Sequence, residues 1–338
     1  MNSSPGFAAA PERYAALPYE RAGRSGLRLP KISLGLWNNF GTDRSADTQS
    51  DIVLHAFDRG VTHFDLANNY GPPPGAAECR FGEIIAHDLL RYRDELVVST
   101  KAGYDMWQGP HGSGGSRKHM LASLDQSLAR LNLDYVDIFY SHRPDPDTPI
   151  EETASALADA VRFGKALYVG ISNYSPEETV AAAEALESEG VPLSLHQPRY
   201  NMFDRVAEQG LFDVLIDLGI GSVAYAPLAG GLLSGRYLKG SAPSGSRGAA
   251  SRWFDGDATN PDYLLRVAAL QEIASARGQT LPQLALTWAL RHKAVTSALI
   301  GASSVNQLDD CLDSLRGDPL TNDEVRAVDD FAVDGTAP

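Results

Sequence analysis

The feature that most restricts what this chain can fold into is an alternation repeated eight times: a short apolar, β-branched run, then a longer amphipathic stretch. The strand candidates are Ile32–Gly35, Thr62–Asp65, Leu96–Lys101, Val136–Ser141, Ala166–Ser172, Ser194–Gln197, Gly221–Tyr225 and Ser297–Ile300. Between and after them lie helical candidates at 47–59, 78–90, 117–131, 151–163, 176–188, 206–218, 263–291 and 305–315. The 263–291 stretch is too long for one helix, and Gly278 and Pro282 mark its break. Regular βαβα order implies parallel strands covered by helices. An open doubly wound sheet is the alternative, but eight units in one pass without a linker-like break favour a closed (β/α)₈ barrel. No solenoid-type repeat is visible.

Outside the alternation, residues 1–18 are rich in Ala, Pro and Ser and read as a loose arm, leaving 19–338 as one barrel domain. Tyr19 to Leu34 contains two short extended segments around Gly23–Gly26, the pattern of a small hairpin. After the seventh strand runs a Gly-, Ser- and Pro-rich segment, about Pro227 to Asp262, carrying Arg236, Lys239, Arg247 and Arg252. A loop of that length in a compact domain reads as a lid or binding loop.

Composition narrows the partners. The 338 residues carry a formal net charge of −14, which argues against nucleic acid or an anionic membrane but leaves room for a small anionic ligand. Cys79 and Cys311 form no metal or disulfide spacing, so a reducing, cytoplasmic setting is expected. Glu12 and Arg13 interrupt the place where an export signal needs an apolar run. The uncharged run Leu218–Gly235 contains five glycines and Pro227, and so reads as strand and loop rather than a membrane helix. Homo-oligomerisation is left open.

Three consecutive strand candidates end in polar residues: Asp65, Lys101 and His142, spaced by 36 and 41 residues. In a βα barrel those ends form the active face, and consecutive units are neighbours. Tyr70, five residues past Asp65, leans over the same mouth. A tyrosine hydroxyl titrates near 10, too high for efficient proton transfer at neutrality; a nearby ammonium lowers that value. The carboxylate holds the lysine, and the histidine aims a carbonyl oxygen. Singly, each residue has a commoner structural use as cap, ion pair or snorkelling side chain; only the set points to chemistry. Trp37 and the Tyr104–Trp107 loop are candidate aromatic walls for a small substrate. Arg143 and the Gly112–Gly115 turn before Ser116-Arg117-Lys118 are candidate anion contacts, with an Arg143–Asp145 pair as the plainer alternative.

HFDLANNYG (63–71), VVSTKAG (97–103) and DIFYSHRPD (137–145) resemble the aldo-keto reductase superfamily. The branch is similar to bacterial L-glyceraldehyde 3-phosphate reductases and potassium-channel β subunits. The resemblance covers most of the chain, from about Tyr19 to the last helix. It implies Asp65, Tyr70, Lys101 and His142 as a catalytic tetrad with Tyr70 as general acid, and NADPH/NADP+ as cofactor. By the same resemblance Trp37, Asp65, Ser172, Asn173 and Gln197 face the nicotinamide, and Tyr225 stacks on it. Ala226, Pro227, Leu228, Gly230, Arg236 and Arg247 would serve the phosphates. Gly301, Ser303, Gln307 and Cys311 would serve the adenosine end, Asp310-Cys311 standing where relatives carry Glu-Asn. Substrate contacts would come from Trp37, Tyr70, Trp107, His142 and Arg143. The implied reaction is reduction of small aldehydes and ketones, among them L-glyceraldehyde 3-phosphate and methylglyoxal-like carbonyls. The chain has no GxGxxG, so a Rossmann unit is unsupported.

Two other classes fit parts of the pattern. His63-x-Asp65 with later strand-end histidines suggests a barrel metallohydrolase, but no HxH pair exists and Tyr70 would be idle, so no metal is expected. A channel-β-like module that binds NADP(H) with little turnover is the other; resemblance to that branch implies Asn where this chain has His142.

Overall fold

The computed structural model describes residues 6–15, 17–238 and 260–335. A closed barrel of eight parallel strands forms, in the order β10-β3-β4-β5-β6-β7-β8-β9. Its strands are β3 (Ile32–Gly35), β4 (His63–Asp65), β5 (Val97–Ala102), β6 (Val136–Ser141), β7 (Ala166–Ser172), β8 (Leu193–Gln197), β9 (Gly221–Tyr225) and β10 (Ser297–Ile300). The covering helices are α1 (Ala46–Asp58), α2 (Ala76–Ile84), α3 (Arg117–Leu131), α4 (Ile150–Arg162), α5 (Pro176–Ser188), α6 (Leu211–Leu218), α7 (Pro261–Ala276), α8 (Leu281–Leu290), α9 (Val305–Asp313) and α10 (Asn322–Asp329). The barrel expected from the alternation is therefore present, and the open sheet is excluded.

Most strand residues are buried on both faces, which is why the runs read as continuous rather than alternating. Helix starts follow local chemistry: Ser175 with Glu178 and Thr280 with Gln283 form capping boxes ahead of α5 and α8. The 263–291 stretch divides as expected at Gly278 (φ 66°), but Pro282 opens the second helix rather than breaking the first. The 78–90 expectation needs correcting. α-Helix holds only to Ile84; a π turn (Ile85–Leu89) and a 3₁₀ turn (Leu90–Glu95) follow. The wider turn puts Ile85 and Leu89 together against the core, leaving Leu90 58% exposed.

The hairpin is β1 (Tyr19–Arg21) against β2 (Arg28–Pro30), antiparallel. Its Ala22 and Leu29 pack on Val97, Ile138, Leu195, Val223 and Leu299, closing the barrel at the strands' N-terminal end. Inside, the Tyr140 ring lies so close to Gly170 that a Cβ there would sit 2.3 Å from it. Only glycine fits at that position. The described part of the 1–18 arm makes specific contacts: Ala9 N–H donates to Tyr92 Oη (2.9 Å), Ala10 N–H to Asp58 (2.8 Å), and Arg13 pairs with Glu95. Of the Pro227–Asp262 segment, residues up to 238 and from 260 are described; Lys239, Arg247 and Arg252 lie outside the described residues. Among the described residues no helix is long and apolar enough to cross a membrane.

Candidate active site

β4 ends on Asp65 beside Ser99 of β5. The chain beyond keeps bonding to β5, Leu66 N–H to Ser99 O (2.9 Å) and Asn68 N–H to Lys101 O (3.0 Å). It then turns, Tyr70 N–H to Ala67 O (3.0 Å), which folds the Tyr70 ring back over Lys101. Lys101 Nζ lies 2.5 Å from Asp65 Oδ2, 2.7 Å from Leu66 O and 3.4 Å from Tyr70 Oη. Its distance to the Tyr70 ring centre is 4.9 Å. Both members of the Asp65–Lys101 pair are fully buried. Ser99 Oγ (2.6 Å) and Gln197 Nε2 (3.0 Å) both donate to Asp65 Oδ1. A buried carboxyl group so supplied with donors is held in place and in turn fixes the ammonium.

His142 follows β6, its N–H bonded to Ala102 O (2.8 Å). Its ring packs edge-on at 5.8 Å from Tyr70 and 4.6 Å from Tyr104, and Nδ1 has no hydrogen-bond partner among the described residues. Gly103 gives it room: a Cβ there would sit 3.3 Å from His142 Cβ, at a φ of 150°. Burial, then Lys101 and Arg143, push the His142 pKa well below the ordinary imidazole value, so the ring is neutral near pH 7.

The tetrad residues thus converge, but one electrostatic expectation is overturned. Tyr70 titrates well above the ordinary phenol value, not below it: burial dominates, and Asp65, Tyr225 and Tyr104 add to it. Burial also lowers the Lys101 pKa, against the pull of Asp65. With its ammonium paired to Asp65, Lys101 at 3.4 Å from the phenol oxygen does not offset the burial of that oxygen.

At the neighbouring strand ends, Asn173 (φ 65°) donates to His142 O (2.9 Å) and Ser172 Oγ (3.1 Å) and accepts from Tyr225 Oη (2.8 Å). Ser172 Oγ donates to Gln197 O (2.8 Å). Trp37 lies 6.4 Å from the Tyr70 ring. Ala226 takes a positive φ, Pro227 is buried, Leu228 caps the 3₁₀ turn Ala229–Ser234 that contains Gly230, and Arg236 is exposed. Gly301 and Ser303 are exposed ahead of α9, and both Ser303 N and Oγ donate to Gln307 Oε1 (3.0 and 2.8 Å). Cys311 faces the apolar core on the same helix, its thiol pushed up to about 12 by burial.

Several expected contacts move. Trp107 packs on His119 of α3 (5.0 Å), and it is Tyr104 that meets His142. The Gly112–Gly115 turn is no open anion nest: Gly112, Gly114 and Gly115 N–H groups go to Gly109 O, Gly103 O and Asp145 Oδ2. Asp145 is held there by that amide, Asp147 N and Thr148 Oγ1; Arg143 makes no contact with it within 4 Å, though its charge still helps to lower the Asp145 pKa. Arg143 instead stacks on Tyr104 (4.5 Å) and ties its Nε to Gly103 O (3.2 Å). His63, one half of the metal reading, has its two ring nitrogens on Ser33 and Ser99 hydroxyls. Among the described residues no three His, Cys, Asp or Glu side chains are grouped to hold a metal ion.

Residues 31–333 match the Aldo/keto reductase family. The chain is 53% identical over 330 residues to the L-glyceraldehyde 3-phosphate reductase of Escherichia coli K12, covering 96% of this chain and 95% of that one. The protein of the same name from Escherichia coli O157:H7 is 52% identical over the same span. A probable voltage-gated potassium channel subunit beta of Oryza sativa subsp. japonica is 37% identical over 315 residues, 91% of this chain and 94% of that one.

Proposed function

Since the chain belongs to the aldo/keto reductase family of oxidoreductases, we propose that it reduces small aldehydes and ketones with NADPH, L-glyceraldehyde 3-phosphate foremost and methylglyoxal-like dicarbonyls besides. The observation that carries the reading is the buried Asp65–Lys101 pair under the Tyr70 hydroxyl, with a neutral His142 beside it. Reduced nicotinamide, held by Ser172, Asn173 and Gln197, would supply the hydride that the carbonyl carbon takes up. Tyr70 gives its proton to the oxygen that becomes negative, and the phenolate left behind is favoured by Lys101 Nζ at 3.4 Å. His142, neutral, hydrogen-bonds the same oxygen and orients it. Trp37, Tyr104 and Tyr225 limit the size of what enters and exclude water.

The donor set suits a dinucleotide laid across the mouth. Asn173, Ser172 and Gln197 place amide and hydroxyl groups at adjacent strand ends, held there by hydrogen bonds to His142 O, Gln197 O and Asp65. Gly230 and Gly231, at φ 67° and 104°, open the backbone next to them for phosphate. Ser303 and Gln307 stand at the N-terminal turn of α9, where a 2′-phosphate would meet the positive end of the helix. NADPH is accordingly expected to exceed NADH in kcat/KM by about tenfold or more, the scale of charge-assisted hydrogen bonds to a phosphate. Equal kcat/KM for the two cofactors in a steady-state assay would reject that assignment.

Arg143 is the group on which recognition of the substrate's phosphate rests. It is held at the mouth by Tyr104 and Gly103 and has no ion pair within 4 Å among the described residues. We expect L-glyceraldehyde 3-phosphate to exceed unphosphorylated glyceraldehyde in kcat/KM by about tenfold or more, and Arg143→Ala to shrink that gap. Consumption of reduced nicotinamide across an aldehyde panel tests the whole reading. Tightly bound cofactor with negligible turnover would instead favour the channel-β-like module.

A further inference from the structure

Behind the Asp65 carboxylate runs a file of buried polar side chains that neither the tetrad nor the cofactor mouth employs. Ser297 Oγ and Ser33 Oγ are 2.6 Å apart across β10 and β3. Ser33 Oγ lies 2.8 Å from His63 Nδ1, and His63 Nε2 lies 3.1 Å from Ser99 Oγ. Ser99 Oγ meets Asp65 Oδ1 at 2.6 Å. All five side chains belong to residues with 0% exposure, so no water competes for any link.

The direction of the file follows from its end. Asp65, paired with Lys101, is a carboxylate and only accepts, so the single Ser99 proton points to it. Ser99 Oγ must then accept from His63, which places the ring proton on Nε2. A neutral ring leaves Nδ1 as acceptor; Ser33 donates to it and in turn accepts from Ser297. Burial lowers the His63 pKa to about 4, in keeping with a ring that stays neutral through the physiological range. Every donor and acceptor points the same way, and such chains strengthen link by link.

We propose that His63 is a positioning residue for the reduction: as the Nε2–H tautomer, with Ser33 donating to Nδ1, it donates to the Ser99 hydroxyl, keeps that hydroxyl aimed at Asp65 and so sets the Asp65–Lys101 pair beneath Tyr70. His63 touches no reacting atom; it acts through Ser99. The inference rests on the tetrad reading for its consequence, but not for its geometry.

The test has two arms. Nitrogen NMR of isotope-labelled, unmodified protein near neutral pH reads the tautomer without any turnover. Nε2–H with an unprotonated Nδ1 is the expected result; Nδ1–H or an imidazolium overturns the proposal whatever the enzyme reduces. In the kinetic arm, His63→Phe should lower kcat by about tenfold, the scale of one hydrogen bond to a charged group, with KM for the cofactor little changed. His63→Gln, whose amide can donate to Ser99 and accept from Ser33, should restore most of it. Wild-type kcat in His63→Phe, or a Gln variant as slow as the Phe one, overturns the role. Should His63→Phe not fold, Ser99→Ala cuts the same link at smaller volume cost and is expected to show the same kcat loss, an unchanged kcat overturning it. A protein with the Nε2–H tautomer but no carbonyl reduction at all would retain the chain and lose the function proposed above.

Discussion

Tyr70→Phe is expected to lower kcat for carbonyl reduction by about 10²–10⁴-fold, the usual contribution of a positioned general acid, while cofactor affinity stays close to wild type. The substitution removes one oxygen and leaves the ring, whose neighbours Trp37 and His142 lie 6.4 and 5.8 Å away. The pH dependence follows from the electrostatics. Burial holds the Tyr70 proton well above the ordinary phenol range, so the donor is fully protonated through neutrality. His142 is neutral because burial, Lys101 and Arg143 all oppose its charged form. Reductive kcat should therefore be level across neutral pH and fall only on the alkaline side. Steady-state rates for the variant over a pH series check both statements; turnover near the wild-type level in Tyr70→Phe would remove Tyr70 from the mechanism.

Lys101→Met should damage activity on a similar scale and, unlike the tyrosine change, should also destabilise the fold. It leaves Asp65 as a carboxylate with no exposure, supplied by Ser99 and Gln197 but by no cation. Breaking one side of a buried ion pair costs about 3–5 kcal/mol, because the remaining charge is uncompensated. Asp65→Asn added to Lys101→Met removes that charge, and the double variant should recover part of the stability and none of the turnover. Denaturant midpoints and kcat for the wild type, the single variant and the double variant separate the two effects. A single variant that unfolds at the wild-type midpoint would mean that the pair is not carrying a buried charge.

The barrel was readable because its evidence is local and repeated: the run lengths, the caps at Ser175 and Thr280, and the Gly278 break each depend on a few adjacent residues. Even so, helix pitch after Ile84 changed to satisfy packing of Ile85 and Leu89, which no local propensity announces. Convergence of Asp65, Lys101 and His142 was also legible, since parallel strands in sequence order carry their C-terminal ends to one face. Tyr70 belonged to that set by its short distance along the chain from Asp65.

Other parts of the site were legible in outline only: the Tyr104–Trp107 loop read as an aromatic wall, but not which of its rings would meet His142. Tyr104 rather than Trp107 meets His142, because the turn of that loop, closed by Met106 N–H to Gly112 O (2.9 Å), is set by its own hydrogen bonds. Gly112–Gly115 has the composition of an anion nest, yet Asp145, a residue of the next loop, takes its amide. Ser33, Ser99 and Ser297 look like any other serines in the chain; they become a directed file only where β10, β3, β4 and β5 lie side by side.

The sequence by itself determined the class of fold, the strand ends at which Asp65, Lys101 and His142 meet and the residue types available there, because periodicity and strand order are properties of the linear chain. Tertiary structure alone decided the charge states. Whether Lys101 lowers the Tyr70 pKa or is spent on Asp65 depends on distances of a few ångströms and on the exclusion of water. Desolvation acts through every neighbour at once, and those neighbours come from strands far apart in the chain.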